Sequence, residues 1–457
     1  DTVEVVVPVA GRPFYLGALS SPALIGVGAI VGLNISSVVL LGGLANWWVA
    51  IPLTELNLAP EGDPLAQVWS LWSQQTRFLG VGAMCVGGVV AIYRVRGALV
   101  EALQIGRAAL RLPGASDSAG QRSSPENRDD LPALGLASGI LICVLSVFIL
   151  LGMLTENWWA SLLLTVVVLF LGFLFSAVAA YMAGLVGSSN NPVSGITIAT
   201  VLLTAALVFV LGVQLTGEDS VGGPAAALLV GSIVCTAAAI GGDNMQDLKA
   251  GQLLGARPRH QQILQLFGVL AAAVVLPFVL DLLRQAYGFG ESNGEQPLAL
   301  RAPQATLMAS VAQGVFGAEL PWHQVIYGAL LAVLVVLGDS FLEQRSSRFR
   351  LPVLAFAVGI YLPLSLSVPM ALGGALASCQ VRDDAAPPGG LLLAAGLITG
   401  EALMGIFVAL IVSQGGAALF HWGRPASSAL SLLVLAVTLF ALRRYRFLRL
   451  DRTAKEP

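Results

Sequence analysis

The chain has 457 residues, 56% of them hydrophobic and 11% charged, with a formal net charge of −2 and a mean hydropathy of +0.82. A soluble core cannot absorb that much apolar surface, so the bilayer must be the solvent for most of the chain. This excludes a secreted scaffold and a disordered chain, and the near-neutral charge balance offers nothing to a polyanion, so no nucleic-acid partner is expected.

The sequence begins at Asp1 without a methionine, and residues 1–16 lack the basic head and apolar run of a signal peptide. It is read as truncated at the N-terminus. A membrane crossing needs about 20 apolar residues. Such segments are predicted at 20–53 (one long or two broken helices), 78–93, 133–153, 158–186, 193–213, 222–240, 262–283, 323–338, 352–378, 390–414 and 427–442. Residues 303–317 are apolar but too short to cross and read as a re-entrant half-helix. The expected fold is all-α: one polytopic transmembrane domain over 1–457, with about eleven or twelve transmembrane helices.

Loop 94–131 carries Arg94, Arg96, Arg107, Arg111, Arg122 and Arg128, which places it in the cytoplasm by the positive-inside rule. On a helix Arg94, Glu101, Gln104, Arg107 and Arg111 share one face, opposite Leu99, Leu103 and Leu110. That pattern predicts an interfacial amphipathic helix. The Pro/Ser/Asp-rich stretch 113–131 reads as a flexible loop. Counting onward puts Lys249, Arg257 and Arg259, then Arg345, Arg348 and Arg350, inside. The count leaves the basic tail (Arg443, Arg444, Arg446, Arg449) outside, against the rule. Segment 352–378, with Pro363 and Pro369, is therefore suspected of not crossing fully.

Two apolar segments match without gaps: VGAIVGLNISSVVLLGG (Val27 to Gly43) and VGIYLPLSLSVPMALGG (Val358 to Gly374). The shared frame includes Gly28/Gly359, Leu33/Leu364, Ser36/Ser367, Gly42/Gly373 and Gly43/Gly374. Internal repeats with broken helices are a transporter signature. The charge count runs both copies from inside to outside, so a parallel repeat is expected.

Three places could carry chemistry. In SSNNPVSG, Asn190, Asn191 and Ser194 can cap amides exposed around Pro192 and Gly195. This is either a tight turn with an N-cap or a discontinuous helix whose positive end faces a substrate carboxylate. After Gly241-Gly242, read as a helix break, Asp243 and Asp247 are i, i+4 neighbours beside Asn244, Gln246 and Lys249. Close carboxylates can share a proton, while the plainer reading is a solvated loop. Glu401 stands in the middle of an apolar span, where a charge costs about 2.5–3.5 kcal/mol. It must meet a partner or a wet cavity, or stay protonated. Tyr361, Ser365 and Ser367 with Pro363 and Pro369 predict an unwound, polar-lined stretch.

Cys85, Cys143, Cys235 and Cys379 form no CxxC pair, and His260, His323 and His421 are far apart. No metal site and no cofactor are expected. No phosphate-binding GxxxxGK[ST], GxSxG or HExxH motif occurs. The chain reads as a gradient-driven transporter rather than an enzyme. An intramembrane enzyme using Glu401 or Asp243, and a channel-like pore, are the alternatives.

SNNPVSG, GGDNMQDLKAGQLLGARPRHQQ, APQATLMASVAQGVFG, GIYLPLSLSVPMALGG and GLITGEALMG, in this order, resemble the oligopeptide transporter (OPT) superfamily, which includes the yellow-stripe-like carriers of metal chelates. The resemblance covers the whole chain and is most specific in its central third. It implies a proton-coupled symporter of small peptides or metal–chelate complexes, multi-pass in a plasma or bacterial inner membrane. The partners would be substrate, protons and lipid, with a homo-oligomer left open. By motif it places Asn191, Pro192, Ser194, Gly195, Asp243, Asn244, Gln246, Lys249, Tyr361, Pro363 and Glu401 on the conduction path; with the reading of the residues themselves, Asn190 joins the substrate path, and Glu401, Asp243 and Asp247 are expected in proton coupling. Typical members are longer at the N-terminus, with more spans.

Overall fold

The computed structural model describes residues 2–9, 12–54, 63–94, 96–97, 131, 133–186, 193–210, 222–289, 303–316, 321–347, 349–379, 381–382, 389–415, 424–444 and 447–448. The predicted amphipathic helix and flexible loop at 94–131 lie almost wholly outside these residues.

In chain order, strands β1 (Thr2–Val9) and β2 (Arg12–Leu19) precede helices α1 (Pro22–Val31) and α2 (Leu33–Leu44), the latter running through a π-helical turn, Ala45–Ala50, to Ile51–Leu53. Helix α3 (Pro64–Leu71) passes through a second π turn, Trp72–Thr76, into α4 (Arg77–Arg94). Then come α5 (Ala133–Thr155), α6 (Trp158–Val186), α7 (Val193–Val210), α8 (Gly222–Leu254), α9 (Pro258–Ala286) and α10 (Pro303–Val315). Helices α11 (Trp322–Gln344), α12 (Val353–Tyr361) and α13 (Leu364–Ser378) lead to β3 (Val381–Arg382). Helices α14 (Gly389–Ser413) and α15 (Arg424–Arg444) and strand β4 (Phe447–Leu448) complete the elements. Among the described residues seven helices are long and apolar enough to cross a membrane. Segment 20–53 supplies one of the seven, Leu33–Leu53, while segment 352–378 is broken at Pro363 and the described parts of two further predicted spans, Ile196–Val210 and Leu433–Arg443, are shorter apolar helices. Helix α10, with 13 residues, is a short helix as expected.

The chain divides into two compact units: Asp1–Gly87 with Val279–Pro303 and Pro321–Pro457, and Gly88–Phe278 with Gln304–Leu320. In the first unit β1 and β2 form an antiparallel ribbon, Thr2 opposite Leu19 and Val9 opposite Arg12. The β-branched run TVEVVVPV favours this local strand, which the sequence analysis did not foresee. Tyr15 of β2 is buried against Trp47, ring centroids 4.3 Å apart.

Both repeat copies are broken helices, and they break at aligned positions. Helix α1 stops at Gly32, with φ 86° and ψ 167°, a conformation open only to glycine. Helix α12 stops before Pro363, the N-cap of α13, and Pro363 aligns with Gly32. The copies cross in close contact, and the contacts come in equivalent pairs. A Cβ on Gly28 would overlap the Met370 carbonyl, and one on Gly359 would overlap the Val39 carbonyl. Gly373 meets Ile25 as Gly42 meets Phe356. Gly374 meets Ser36 as Gly43 meets Ser367.

The sense of these pairs corrects the expected polarity. Ile25 faces Gly373 while Gly28 faces Met370, so α1 runs against α13, not with it. Likewise α2 runs against α12, since Val39 faces Gly359 and Gly42 faces Phe356. The two copies are related by a pseudo-twofold and are inverted, not parallel.

In the second unit α6, α7 and α8 pack around Leu171, Phe175, Ala179, Ile196, Val234 and Ala238. Leu151 and Leu164 extend this core toward α5. Helix α8 is continuous for 33 residues, about 50 Å at 1.5 Å per residue. The expected break at Gly241-Gly242 does not occur. A Cβ on Gly241 would overlap Ser176, so this glycine lets α6 and α8 approach closely instead of ending the helix.

Candidate functional site

The polar residues predicted after Gly241 lie on α8 rather than in a loop. Residues Ser232, Thr236, Ile240 and Asn244 repeat every four positions and so share one face. With Ser176 of α6 they line a groove of about 480 Å³. Two of the hydroxyls already donate within their own helix: Ser232 to the Leu229 carbonyl at 2.8 Å and Thr236 to the Ser232 carbonyl at 2.8 Å. The Asn244 amide brings both donor and acceptor capacity for a ligand.

Asp243, Gln246, Asp247 and Lys249 are exposed. The predicted aspartate pair is not left to itself. Asp247 accepts from Gln265 Nε2 at 3.3 Å through its carboxylate, and from Gln261 Nε2 at 3.0 Å through its carbonyl. These bonds tie the end of α8 to the start of α9. Lys249 donates to Gln252 Oε1 at 2.9 Å, not to a carboxylate. Ser194 and Gly195 stand in the first turn of α7, while Asn190, Asn191 and Pro192 lie outside the described residues.

In the first unit Tyr361 ends α12, 3% exposed, and Pro363 starts α13. The backbone of Tyr361 lies against Gly80 of α4. Glu401 of α14 has found a definite partner, the start of α1. Its Oε1 accepts from Ser21 Oγ at 2.7 Å, and its Oε2 from the Ala23 amide at 2.7 Å. Ser21 itself caps α1, accepting from the Leu24 amide at 3.2 Å. The carboxylate therefore faces the positive end of a half-helix. Because α1 and α13 run in opposite senses, Glu401 stands beside the far end of α13. Ala23 falls level with a point about twelve residues of helix, roughly 18 Å, from Pro363. Glu401 and Tyr361 thus belong to one unit but to different ends of it.

Sequence reasoning missed two polar centres. Asn46, 0% exposed, donates its Nδ2 to the Ile360 carbonyl at 2.7 Å and bridges the two copies. Asp339, 2% exposed, accepts from Arg350 Nε at 2.9 Å, Arg350 Nη2 at 3.1 Å and the Leu351 amide at 2.9 Å. The Arg350 amide in turn donates to Asn34 Oδ1 at 3.1 Å. This cluster fixes the turn before α12 to the start of α2. An acid within the apolar run of α11 was the available signal, and the predicted span stopped one residue short of it.

The family model described as OPT oligopeptide transporter protein matches residues 6–412. A putative oligopeptide transporter of Haemophilus influenzae is 32% identical over 425 residues, 88% of this chain and 67% of the relative. A putative oligopeptide transporter of Saccharomyces cerevisiae is 25% identical over 442 residues, 86% of this chain and 58% of the relative. A probable metal-nicotianamine transporter of Oryza sativa is 31% identical over 211 residues, 44% of this chain and 30% of the relative. The chain thus spans about two thirds or less of the length of these relatives.

Proposed function

Since the chain belongs to the OPT oligopeptide transporter family, a family of multi-pass membrane transporters and not of enzymes, we propose that it is a proton-coupled carrier of small peptides or metal chelates. The observation that carries the proton coupling is the bond pair from Ser21 and Ala23 to Glu401. An ionised carboxylate at a helix N-terminus is stabilised by the helix dipole and accepts charge-assisted hydrogen bonds. Protonation removes the charge and weakens both bonds. The start of α1 is then free to move relative to α14, and α1 is half of a repeat copy. Among the described residues Glu401 forms no ion pair, so its charge is answered by α1 alone.

The substrate path is proposed to run past Asn190, Asn191, Pro192, Ser194 and Gly195, past Asn244, Gln246 and Lys249, and past Tyr361 and Pro363. Asp243 and Asp247 are secondary candidates for proton binding, since both are exposed and reach solvent directly. The membrane would be a plasma or bacterial inner membrane.

The test is uptake into proteoliposomes, pH-driven and by substrate counterflow, with Glu401→Gln. The glutamine keeps the shape and one acceptor but cannot titrate. Counterflow should persist while pH-driven accumulation is lost. Unchanged pH-driven accumulation in the variant would refute the coupling role.

A further inference from the structure

The break between α12 and α13 gathers polar atoms that the fold leaves unsatisfied. Asn46 Oδ1, Trp72 Nε1, Thr76 Oγ1 and Ser367 Oγ are all buried without a hydrogen-bond partner among the described residues. Asn46, Thr76 and Ser367 are 0% exposed. Buried polar atoms are almost always paired, and each exception calls for a cause.

These atoms belong to elements that border one junction. The Asn46 amide reaches the Ile360 carbonyl. Trp72 stacks on Trp47, ring centroids 5.8 Å apart, and Trp47 Nε1 donates to the Leu362 carbonyl at 3.3 Å. Thr76 stands one turn before Gly80, whose backbone rests on Tyr361. Ser367 is in the first turn of α13, against Gly43. Each of the two π turns thus borders the break, and π-helical turns concentrate at functional sites. Among the described residues no side chain caps the first amides of α13, so its positive end lies at the junction. Arg77, next to Thr76, brings a full positive charge within electrostatic reach of Tyr361.

The inventory has a sign. Indole N–H, two hydroxyls, helix amides and a guanidinium are donors in a positive field, which repels a metal cation and suits an anion. Asn46 Oδ1 is the lone orphan that only accepts. A peptide C-terminus matches this set, with a carboxylate for the donors and an adjacent N–H for the acceptor. We propose that this junction binds the C-terminal carboxylate of the peptide cargo. The carboxylate lies toward Thr76, Arg77, Ser367 and the start of α13, and the last peptide N–H toward Asn46. This assignment rests on the carrier reading above.

The experiment uses the full chain in detergent, with the Trp47–Trp72 stack as a fluorescence reporter. Di-, tri- and tetra-alanine are titrated as free acids and as C-terminal amides. The acids should bind at least tenfold tighter than the amides. Arg77→Gln should erase that preference, and Ser367→Ala should weaken the acid several-fold while leaving the amide unchanged. Equal binding of acid and amide means that the junction holds only water, and overturns the proposal, as does the absence of any response. If Arg77→Gln does not fold by gel filtration, Ser367→Ala and Thr76→Val decide, and unchanged acid affinity in both overturns it. Parallel uptake separates the two readings. Peptides carried without acid preference in binding sink the site alone. Acid-selective binding without uptake keeps the site and sinks the carrier.

Discussion

The cluster of Asp339 and Arg350 makes an asymmetric prediction. Replacing Arg350 by Leu strips a buried carboxylate of the two bonds and the positive charge that Arg350 supplies. Asp339 is only 2% exposed, whereas Arg350 is 36% exposed. Removing one partner of a buried ion pair costs about 3–5 kcal/mol. Asp339→Asn removes the charge on the buried side instead. The new amide still accepts from the Leu351 N–H, and Arg350 still reaches Glu343, now at 3.0 Å, and water. Its cost is about 1–2 kcal/mol, the price of one charged hydrogen bond at a partly solvated site. Arg350→Leu should therefore be worse by roughly 2 kcal/mol, a factor of about 30 in the folding constant. The hydrogen bonds to Asp339 raise Arg350 above the ordinary arginine range. A raised pKa gives stability that is fully present below the unfolded value, so the guanidinium contribution stays flat across neutral pH. The assay is equilibrium unfolding by SDS titration in mixed micelles. Equal costs, or a larger cost for Asp339→Asn, would refute the reasoning that burial falls on the carboxylate.

Gly32→Ala should cost about 1–3 kcal/mol in the same titration, from backbone strain alone. Nothing lies within 4 Å of the added Cβ, so a loss well below that range would mean that the break relaxes. The inverted repeat predicts sidedness. In a chain lacking the other cysteines, an impermeant thiol reagent should reach Leu19→Cys, before α1, and the exposed Cys379, after α13, from the same side of the membrane. Labelling from opposite sides would restore parallel copies.

The helix breaks were legible because they fall in matched frames. Gly32 and Pro363 occupy the same repeat position, and each is chemically unable to continue a helix at its observed geometry. Glu401 was legible as a mid-span acid, though not its partner. The Ser21-Pro22 pair is a helix-start signal, but only the fold brings Glu401 to it across 380 residues. Asn46 and Arg77 were illegible for the same reason. Neither lies in a motif that marks it out in sequence, and Asn46 meets its partner 314 residues away. Gly241 misled because one residue type serves two opposite purposes. A glycine that ends a helix and a glycine that lets two helices touch look alike in sequence, and the Ser176 contact decides between them.

Polarity failed for a different reason. Side-chain pattern along a helix carries no direction across the membrane, so orientation came from counting crossings between charged loops. One segment wrongly counted between the copies reverses every later one. The count had already conflicted with the positive-inside rule at the tail, leaving Arg443, Arg444, Arg446 and Arg449 outside. Inverting the second copy relative to the first removes that conflict. Segment 352–378 then runs inward, α14 outward and α15 inward, and the basic tail falls on the cytoplasmic side. The inversion moves Arg345, Arg348 and Arg350 outward. Arg350 carries little topological weight there, because its charge is answered by Asp339 and Glu343. Segment 352–378, suspected of not crossing fully, has its break at Pro363. Its inversion against 20–53, with Ile25 facing Gly373 and Gly42 facing Phe356, would bring the basic tail inside at the cost of placing Arg345 and Arg348 outside.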